Sequence, residues 1–579
     1  MSLLKKMLSY DVIFVDYFDT TVFRYVHSHQ IYGQWAKQIL ARCSEIGKFV
    51  DAKTLVRNRW SALPNLRKHC DEPTYEELIQ EIYEQCNLKA SGITLDYFLE
   101  LSYSVDLGVE LGCQYKNEKV VQTLNKLKEA GKKIYLVSDF YMPRKSYDAF
   151  FKALGIDHLF DGMFVSSECN ASKRTGALYQ YVLKALNVEP TSVAMVGDSL
   201  RDDVLRAKQN GISGFRYFPI LHKIQTNISK RFKIDFSSQI VAKKGVELYR
   251  NSYFEEYVVV LYAFIQRLYG TAKKYEADKL AFLSRGGSFL KTLFDEYQKE
   301  LVPENERIES AYCLNSRKVC FAARDDEKSK RLLLDYLKNF KSEKGLFLVD
   351  EGWYNHSQQT IASISGWDTF GFYIGSRRKE SLDITNQCVR KGLLFDMGPK
   401  KPNTKYYGIL CTNCSMYEQI LTAAHGSVDF YYEEDGVVKA GLKTNEKEMY
   451  LYDKYIRNMQ ERMLLHFKGL CAWNGKNEIT LKECAQLVLK SVIFNSNARC
   501  KWLNELDNNR YDNCSMGKSR DKSVKDVKIN PFELILHPDR YLGMFCKLQR
   551  KIYDKSLLNV LYYPIAFSFY AYTRLLSRL

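Results

Sequence analysis

Val12-Ile-Phe-Val-Asp16 is an apolar run closed by a carboxylate. A continuous run of this length predicts a strand buried on both faces, as parallel strands are under covering helices. The acid at its end marks the carboxyl edge, where open α/β sheets place their chemistry. Three more runs share the design: Ile134-Tyr-Leu-Val137 ends in Ser138, Gly162-Met-Phe-Val165 leads into a polar loop, and Val193-Ala-Met-Val196 ends in Gly197-Asp198. Helical patterns around 117–130, 144–154, 175–186 and 201–210 alternate with them. Residues 1–220 therefore read as an α/β, doubly wound parallel sheet.

The strand ends carry a chemical set: Asp16 with Thr20, Ser138, Lys173, and Asp198 with Asp203. A carboxylate nucleophile needs a hydroxyl and an ammonium beside the phosphoryl oxygens, and further carboxylates to hold Mg²⁺. In order and context these residues resemble the four motifs of the haloacid dehalogenase superfamily, over about residues 10–218. The resemblance implies a Rossmann-like phosphatase fold in which Asp16 forms an aspartyl-phosphate. Ser138 and Lys173 would bind the phosphoryl group, and Asp198 and Asp203 would complete the Mg²⁺ site. The helix-rich insert at about 24–110 sits where the family places a mobile cap that excludes water and selects substrate. Phosphatases of the family carry an Asp two residues after the nucleophile as general acid, whereas this chain has Phe18 there and Asp19 one step later. An aromatic at that position is closer to the dehalogenase branch, while the retained metal carboxylates suit phosphate chemistry. The expectation is a Mg²⁺-dependent phosphatase in which Asp19 or water protonates the leaving group.

Residues 221–245 are polar, basic and weakly periodic, and are expected as a linker. A long apolar helix over about 246–274 opens a second α/β domain, 246–400. Its strand-like runs are Lys279–Leu283, Ile308–Leu314, Gly345–Val349 and a closing Thr369–Ile374. Arg285-Gly286-Gly287, between a strand and a helix, can turn backbone N–H groups toward an anion. Asp350-Glu351 ends a buried strand, where acids can hold ribose hydroxyls or a diphosphate-bound Mg²⁺. The pairing resembles a type I phosphoribosyltransferase, with Tyr354-Asn-His-Ser357 replacing the usual Thr-Gly-x-Thr loop. With Glu418–Ser427, the arrangement resembles bacterial surface-polysaccharide proteins that fuse a haloacid-dehalogenase-type phosphatase to such a module. The resemblance implies transfer of 5-phosphoribosyl from phosphoribosyl diphosphate to a lipid-linked glycan acceptor, then removal of the 5-phosphate to leave ribofuranose. Arg285, Gly286 and Gly287 would bind the diphosphate, Asp350 and Glu351 ribose or metal, and Ser316, Arg317 and Ser357 the 5-phosphate. The alternatives are a phosphatase of another phosphosugar with a non-catalytic second domain, or a degenerate scaffold protein.

Residues 401–545 read as mainly helical, with Met449–Phe467 at core-like spacing. Cys411, Cys414 and His425 have bland structural readings. In the tail, 546–579, Lys and Arg dominate, and Leu557–Tyr572 is apolar and aromatic but broken by Asn559 and Pro564. Such a segment suits an interfacial helix on an anionic leaflet, or a helix packed on the body. Of the 579 residues, 85 are Lys or Arg and 68 Asp or Glu, a net charge of +17 that calls for an anionic partner. No recognition helix, zinc module or RNA-binding motif points to nucleic acid. Fifteen scattered cysteines and an N-terminus interrupted by Asp11, Asp16 and Asp19 lead to the expectation of a cytoplasmic protein, peripheral at the inner face of the membrane.

Overall fold

Val12, Ile13, Phe14 and Val15 are all buried in β1 (Val12–Val15), the middle strand of a five-stranded sheet. The computed structural model describes residues 3–231, 241, 243–245, 248–249, 253–378, 388–398, 401–412, 414–443, 445–508 and 536–577. Parts of the expected linker, of the start of the 246–274 helix, of 401–545 and the end of the tail lie outside the described residues. The chain forms two compact units, Met1–Lys243 with Gly469–Lys476, and Lys244–Lys468 with Asn477–Leu579.

In the first unit β2 (Val22–Arg24) pairs antiparallel with β3 (Gln114–Lys116), at the two ends of the cap insert. β4 (Lys133–Ser138), β5 (Gly162–Val165), β6 (Val193–Gly197) and β7 (Ser213–Arg216) complete the sheet in the order β5-β4-β1-β6-β7, with every pairing parallel. Val15 lies opposite Leu136 and Val196, so Asp16, Ser138 and Asp198 arrive at one edge. Phe14, Val137, Leu178, Tyr179, Val182 and Met195 pack one face of the sheet. The cap is helical, with its longer helices at His29–Arg42, Ala52–Leu66, Tyr75–Gln85 and Leu95–Cys113. Asp51, Thr74 and Thr94 cap three of them, Thr74 in a reciprocal box with Glu77. Gly469–Lys476 packs on the last cap helix, where a Cβ at Gly112 would lie 1.6 Å from the Trp473 ring.

The second unit holds β8 (Lys279–Leu283), β9 (Glu309–Cys313), β10 (Leu346–Trp353), β11 (Thr369–Ser376) and β12 (Cys388–Asp396). They form another parallel sheet, in the order β12-β11-β10-β8-β9. The expected closing strand is therefore followed by one more. β12 escaped the sequence because its first half, Cys388-Val-Arg-Lys, lacks the apolar run of a buried strand. Within the region expected as helical, β13 (Ser427–Glu434) and β14 (Val437–Lys443) form a hairpin. Asp435 and Gly436, with φ of 52° and 74°, make its turn. That conformation suits an Asp-Gly pair between twisted strands. The helices Leu481–Ile493, Asn497–Asn508, Leu542–Ile552 and Ser556–Ser577 complete a helical C-terminal region. The helix expected over 246–274 is described as Tyr257–Lys274.

Candidate active site

Asp16 lies just past β1, nearly buried, with its N–H donating to the Val196 carbonyl oxygen at 2.9 Å. Lys173 Nζ donates to Asp16 Oδ1 at 2.6 Å and to Asp203 Oδ1 at 2.7 Å, so one buried ammonium joins two strand ends. Asp203 is held in turn by the Ser199 N–H at 2.9 Å. Gly197 leaves room for that carboxyl, since a Cβ there would come 2.2 Å from Asp203 Cγ. Thr20 Oγ1 approaches Asp16 Oδ2 at 3.4 Å, and the neighbouring Thr21 hydroxyl donates to the Asp16 carbonyl oxygen at 2.7 Å. Ser138 is fully buried and accepts from the Tyr147 hydroxyl at 2.8 Å.

Burial pushes the Asp16 carboxyl well above the usual carboxylate range, against the pull of Lys173, and the charges of Asp203 and Asp198 push it the same way. Burial disfavours the Lys173 ammonium, but Asp16 and Asp203 outweigh it and hold the group protonated. Oxygens of Asp16, Asp198 and Asp203 lie within 4.8 Å of one another. Asp203 and Asp198 crowd negative charge onto Asp16, and a divalent cation among the three carboxylates would relieve that repulsion.

Residues 10–211 match the family of haloacid dehalogenase-like hydrolases. This region is a haloacid dehalogenase-like hydrolase domain. Among similar solved structures is a 2-haloacid dehalogenase from Pseudomonas syringae pv. Tomato, 20% identical, covering 36% of this chain and 86% of its own with a TM-score of 0.29. A predicted phosphoglycolate phosphatase from Haemophilus somnus is 20% identical over 39% of this chain and 98% of its own, TM-score 0.25. A haloacid dehalogenase-type phosphatase from Thermococcus onnurineus is 19% identical over 35% and 83%, TM-score 0.24. No curated protein matches the chain.

Beside the hydrolase cluster lie residues that the sequence reading missed. Asp139, directly after Ser138, accepts the backbone N–H groups of Lys173 and Arg174 and so fixes the loop that aims Lys173. The segment expected as linker begins with the helix Ile220–Arg231, which brings His222 and Lys223 to the site. Lys223 Nζ donates to Asp198 Oδ2 at 2.5 Å and lies 3.5 Å from Asp19 Oδ2. His222 Nε2 is 3.3 Å from Asp19 Oδ1. Burial would raise the Asp19 carboxyl, but its hydrogen bond with His222 and the charge of Lys223 bring it below the usual range. Asp19 is thus an anion at neutral pH, a poor proton donor. Phe18 packs against the Phe140 ring at 4.6 Å, with the Arg24 guanidinium 3.5 Å above its own ring. Glu110 binds Arg24 through two hydrogen bonds of 2.7 and 2.8 Å.

In the second unit a cavity of about 290 Å³ opens at the carboxyl edges of β8, β9 and β10. Arg285, Gly286, Ser316, Arg317, Asp350, Glu351 and Ser357 line it together. Gly287 does not: it opens the helix Gly287–Leu301, where a Cβ would come 2.7 Å from the Phe282 carbonyl carbon. Its smallness serves packing. Gly286 does serve the cavity, since a Cβ would meet Glu351 Oε2 at 2.1 Å. Arg285 is ion-paired with Glu448, a partner the sequence did not disclose. The Ser316 hydroxyl caps the helix Arg317–Asp325 and donates to the Val428 carbonyl oxygen at 2.8 Å. Burial and the adjacent Glu351 push the Asp350 carboxyl well above its usual range. Burial lowers the His356 imidazole, and Arg378, Arg317, Arg324 and Arg390 lower it further. Asn315 Nδ2 and Glu351 Oε2 are buried there without a hydrogen-bond partner.

The remaining candidates have structural partners. His425 donates from Nδ1 to the Gly426 carbonyl oxygen and accepts from the Tyr312 hydroxyl, each at 2.7 Å. Cys411 and Cys414 are free buried thiols. No helix among the described residues is long and apolar enough to cross a membrane.

Proposed function

We propose that the hydrolase domain is a phosphomonoesterase with Asp16 as its nucleophile, and that the second unit transfers phosphoribosyl groups to a glycan. The observation that carries the first part is the buried Lys173 ammonium, within 2.7 Å of both Asp16 and Asp203. Asp16, in the carboxylate form that the Lys173 ammonium pairs, attacks phosphorus through Oδ, and the bond from phosphorus to the leaving oxygen breaks with its electron pair. Lys173 and the Thr20 and Ser138 hydroxyls bind the phosphoryl oxygens, in a site where water does not weaken them. Because Phe18 cannot give a proton and Asp19 is charged, solvent protonates the leaving oxygen. Water then attacks the phosphorus of the aspartyl-phosphate, releasing phosphate and restoring Asp16. Asp16, Asp198 and Asp203 would hold Mg²⁺, which when bound supplies positive charge beside the phosphoryl group.

The second part is supported by the cavity and its unsatisfied buried atoms, Asn315 Nδ2, Glu351 Oε2 and both amide atoms of Asn355, since such groups in a native protein call for a ligand or water. Arg285, with the Gly286 backbone, faces the diphosphate once Glu448 releases it. Asp350 and Glu351 hold the ribose hydroxyls or a diphosphate-bound Mg²⁺. Arg317 and Ser357 lie toward the 5-phosphate, near the start of the helix His356–Ser365. The acceptor hydroxyl oxygen bonds to ribose C1 as the C1–O bond to diphosphate breaks, its proton passing to solvent, and the hydrolase domain removes the 5-phosphate from the product. Full-length protein with phosphoribosyl diphosphate, Mg²⁺ and a lipid-linked glycan should add the mass of a pentose. Asp16→Asn should stop at the pentose phosphate. No added mass in either protein refutes the transfer, and complete dephosphorylation by Asp16→Asn removes Asp16 from the mechanism.

A further inference from the structure

We propose that the helix Ser556–Ser577 is a docking surface for an anionic lipid bilayer. The helix is held on its own unit along one stripe. Tyr562, Ala566 and Thr573 are buried, Phe569 stacks on Phe545 with centroids 4.0 Å apart, the Tyr570 ring meets Phe494 at 5.2 Å, and the Tyr562 hydroxyl donates to the Ile493 carbonyl oxygen at 2.7 Å. At helical spacing these positions span about 100° of the circumference.

A helix docked this way ordinarily turns charge to water over the rest of its surface. This one does not. Val560, Leu561, Ile565, Phe567, Leu575 and Leu576 are 46% to 74% exposed, and Arg574 is the only charged residue from Ser556 to Ser577. An apolar face of this extent forfeits the gain of burial unless something covers it.

Charge decides what covers it. The preceding helix, Leu542–Ile552, and the link after it put Lys547, Lys551 and Lys555 at the surface, with Asp554 the one acid beside them. A second copy laid on the face would set lysines against lysines if its helix ran parallel, and against Arg574 if antiparallel. A bilayer meets both needs: acyl chains take up the apolar side chains, and anionic headgroups pair with the lysines. Held along its stripe, the helix lies in the plane of the interface.

The test is co-sedimentation of the full chain with vesicles of phosphatidylcholine alone or mixed with phosphatidylglycerol. Binding is expected to the anionic vesicles, weakening as salt screens the lysines. It should fall about tenfold in Val560→Ser/Ile565→Ser/Phe567→Ser, and about tenfold in Lys547→Glu/Lys551→Glu. All five side chains are exposed, so both variants should melt near the parent temperature. Equal recovery on neutral and anionic vesicles, or recovery indifferent to both variants, would overturn the proposal. So would a dimer that the apolar triple variant dissolves.

Discussion

At the carboxyl edge of the first sheet the charges are already partnered: Lys173 with Asp16 and Asp203, Lys223 with Asp198 and Asp19. At the carboxyl edge of the second sheet, a cavity keeps Asn315 Nδ2 and Glu351 Oε2 buried without partners, beside two adjacent acids. The two edges thus differ in how their acids are held, by the buried Lys173 ammonium at the first and side by side at the second. The first is preorganised, with dipoles and charges fixed before substrate arrives, as charge development at a small phosphoryl group requires. The second leaves buried hydrogen-bonding atoms without protein partners, and the proposed donor site rests on that capacity.

The largest expected effect lies at the first edge. Asp16→Asn should lower kcat for a chromogenic phosphomonoester, assayed with Mg²⁺, by at least about 10³-fold. Loss of no more than a few fold would mean that the preorganised edge is not a nucleophile's site. Next comes the stability cost of unpairing. Lys173→Met strands two nearly buried carboxylates and should cost about 3–5 kcal/mol in denaturant unfolding. Arg285→Met, at a half-buried pair, should cost about 1 kcal/mol or less. Equal losses would erase the contrast between the edges.

Glu448→Gln should sharpen it. Freed of its ion pair, Arg285 becomes available to an anion, and calorimetry should find phosphoribosyl diphosphate bound about fivefold to tenfold tighter. Weaker binding would make Glu448 part of the ligand site. The smallest effect concerns Asp19. Its folded carboxyl lies below the unfolded value, so the stability it contributes is present above about pH 4 and is lost as pH falls through the folded pKa. Asp19→Asn should therefore flatten the acid limb of melting temperature against pH. An unchanged limb would show that His222 and Lys223 do not hold that carboxylate.

How much of this was legible follows from burial. β1, β4 and β6 were readable because strands covered on both faces need continuous apolar runs, and they end at Ser138 or one residue before Asp16 and Asp198. β7 and the first half of β12 lack an apolar run, with half-exposed residues such as Gly214 and Arg390 in its place, and so were hidden. The hairpin β13–β14 did carry a signal in Asp435-Gly436, overridden by helical spacing around it. Asp139 was within reach, next to Ser138 at a strand end. Lys223 and Glu448 were not, because each joins its site by tertiary approach, 25 residues from Asp198 in one case and 163 from Arg285 in the other. Gly287 illustrates the reverse. Its place in a phosphate-like loop looked chemical, while the Phe282 backbone behind it explains the glycine.

The most direct test of the central claim is mass spectrometry of protein quenched in acid during turnover of a phosphomonoester. One phosphoryl group is expected on the peptide that contains Asp16, and none on that peptide of Asp16→Asn. An actively turning-over protein in which Asp16 stays unmodified while another residue carries the phosphoryl group would contradict it.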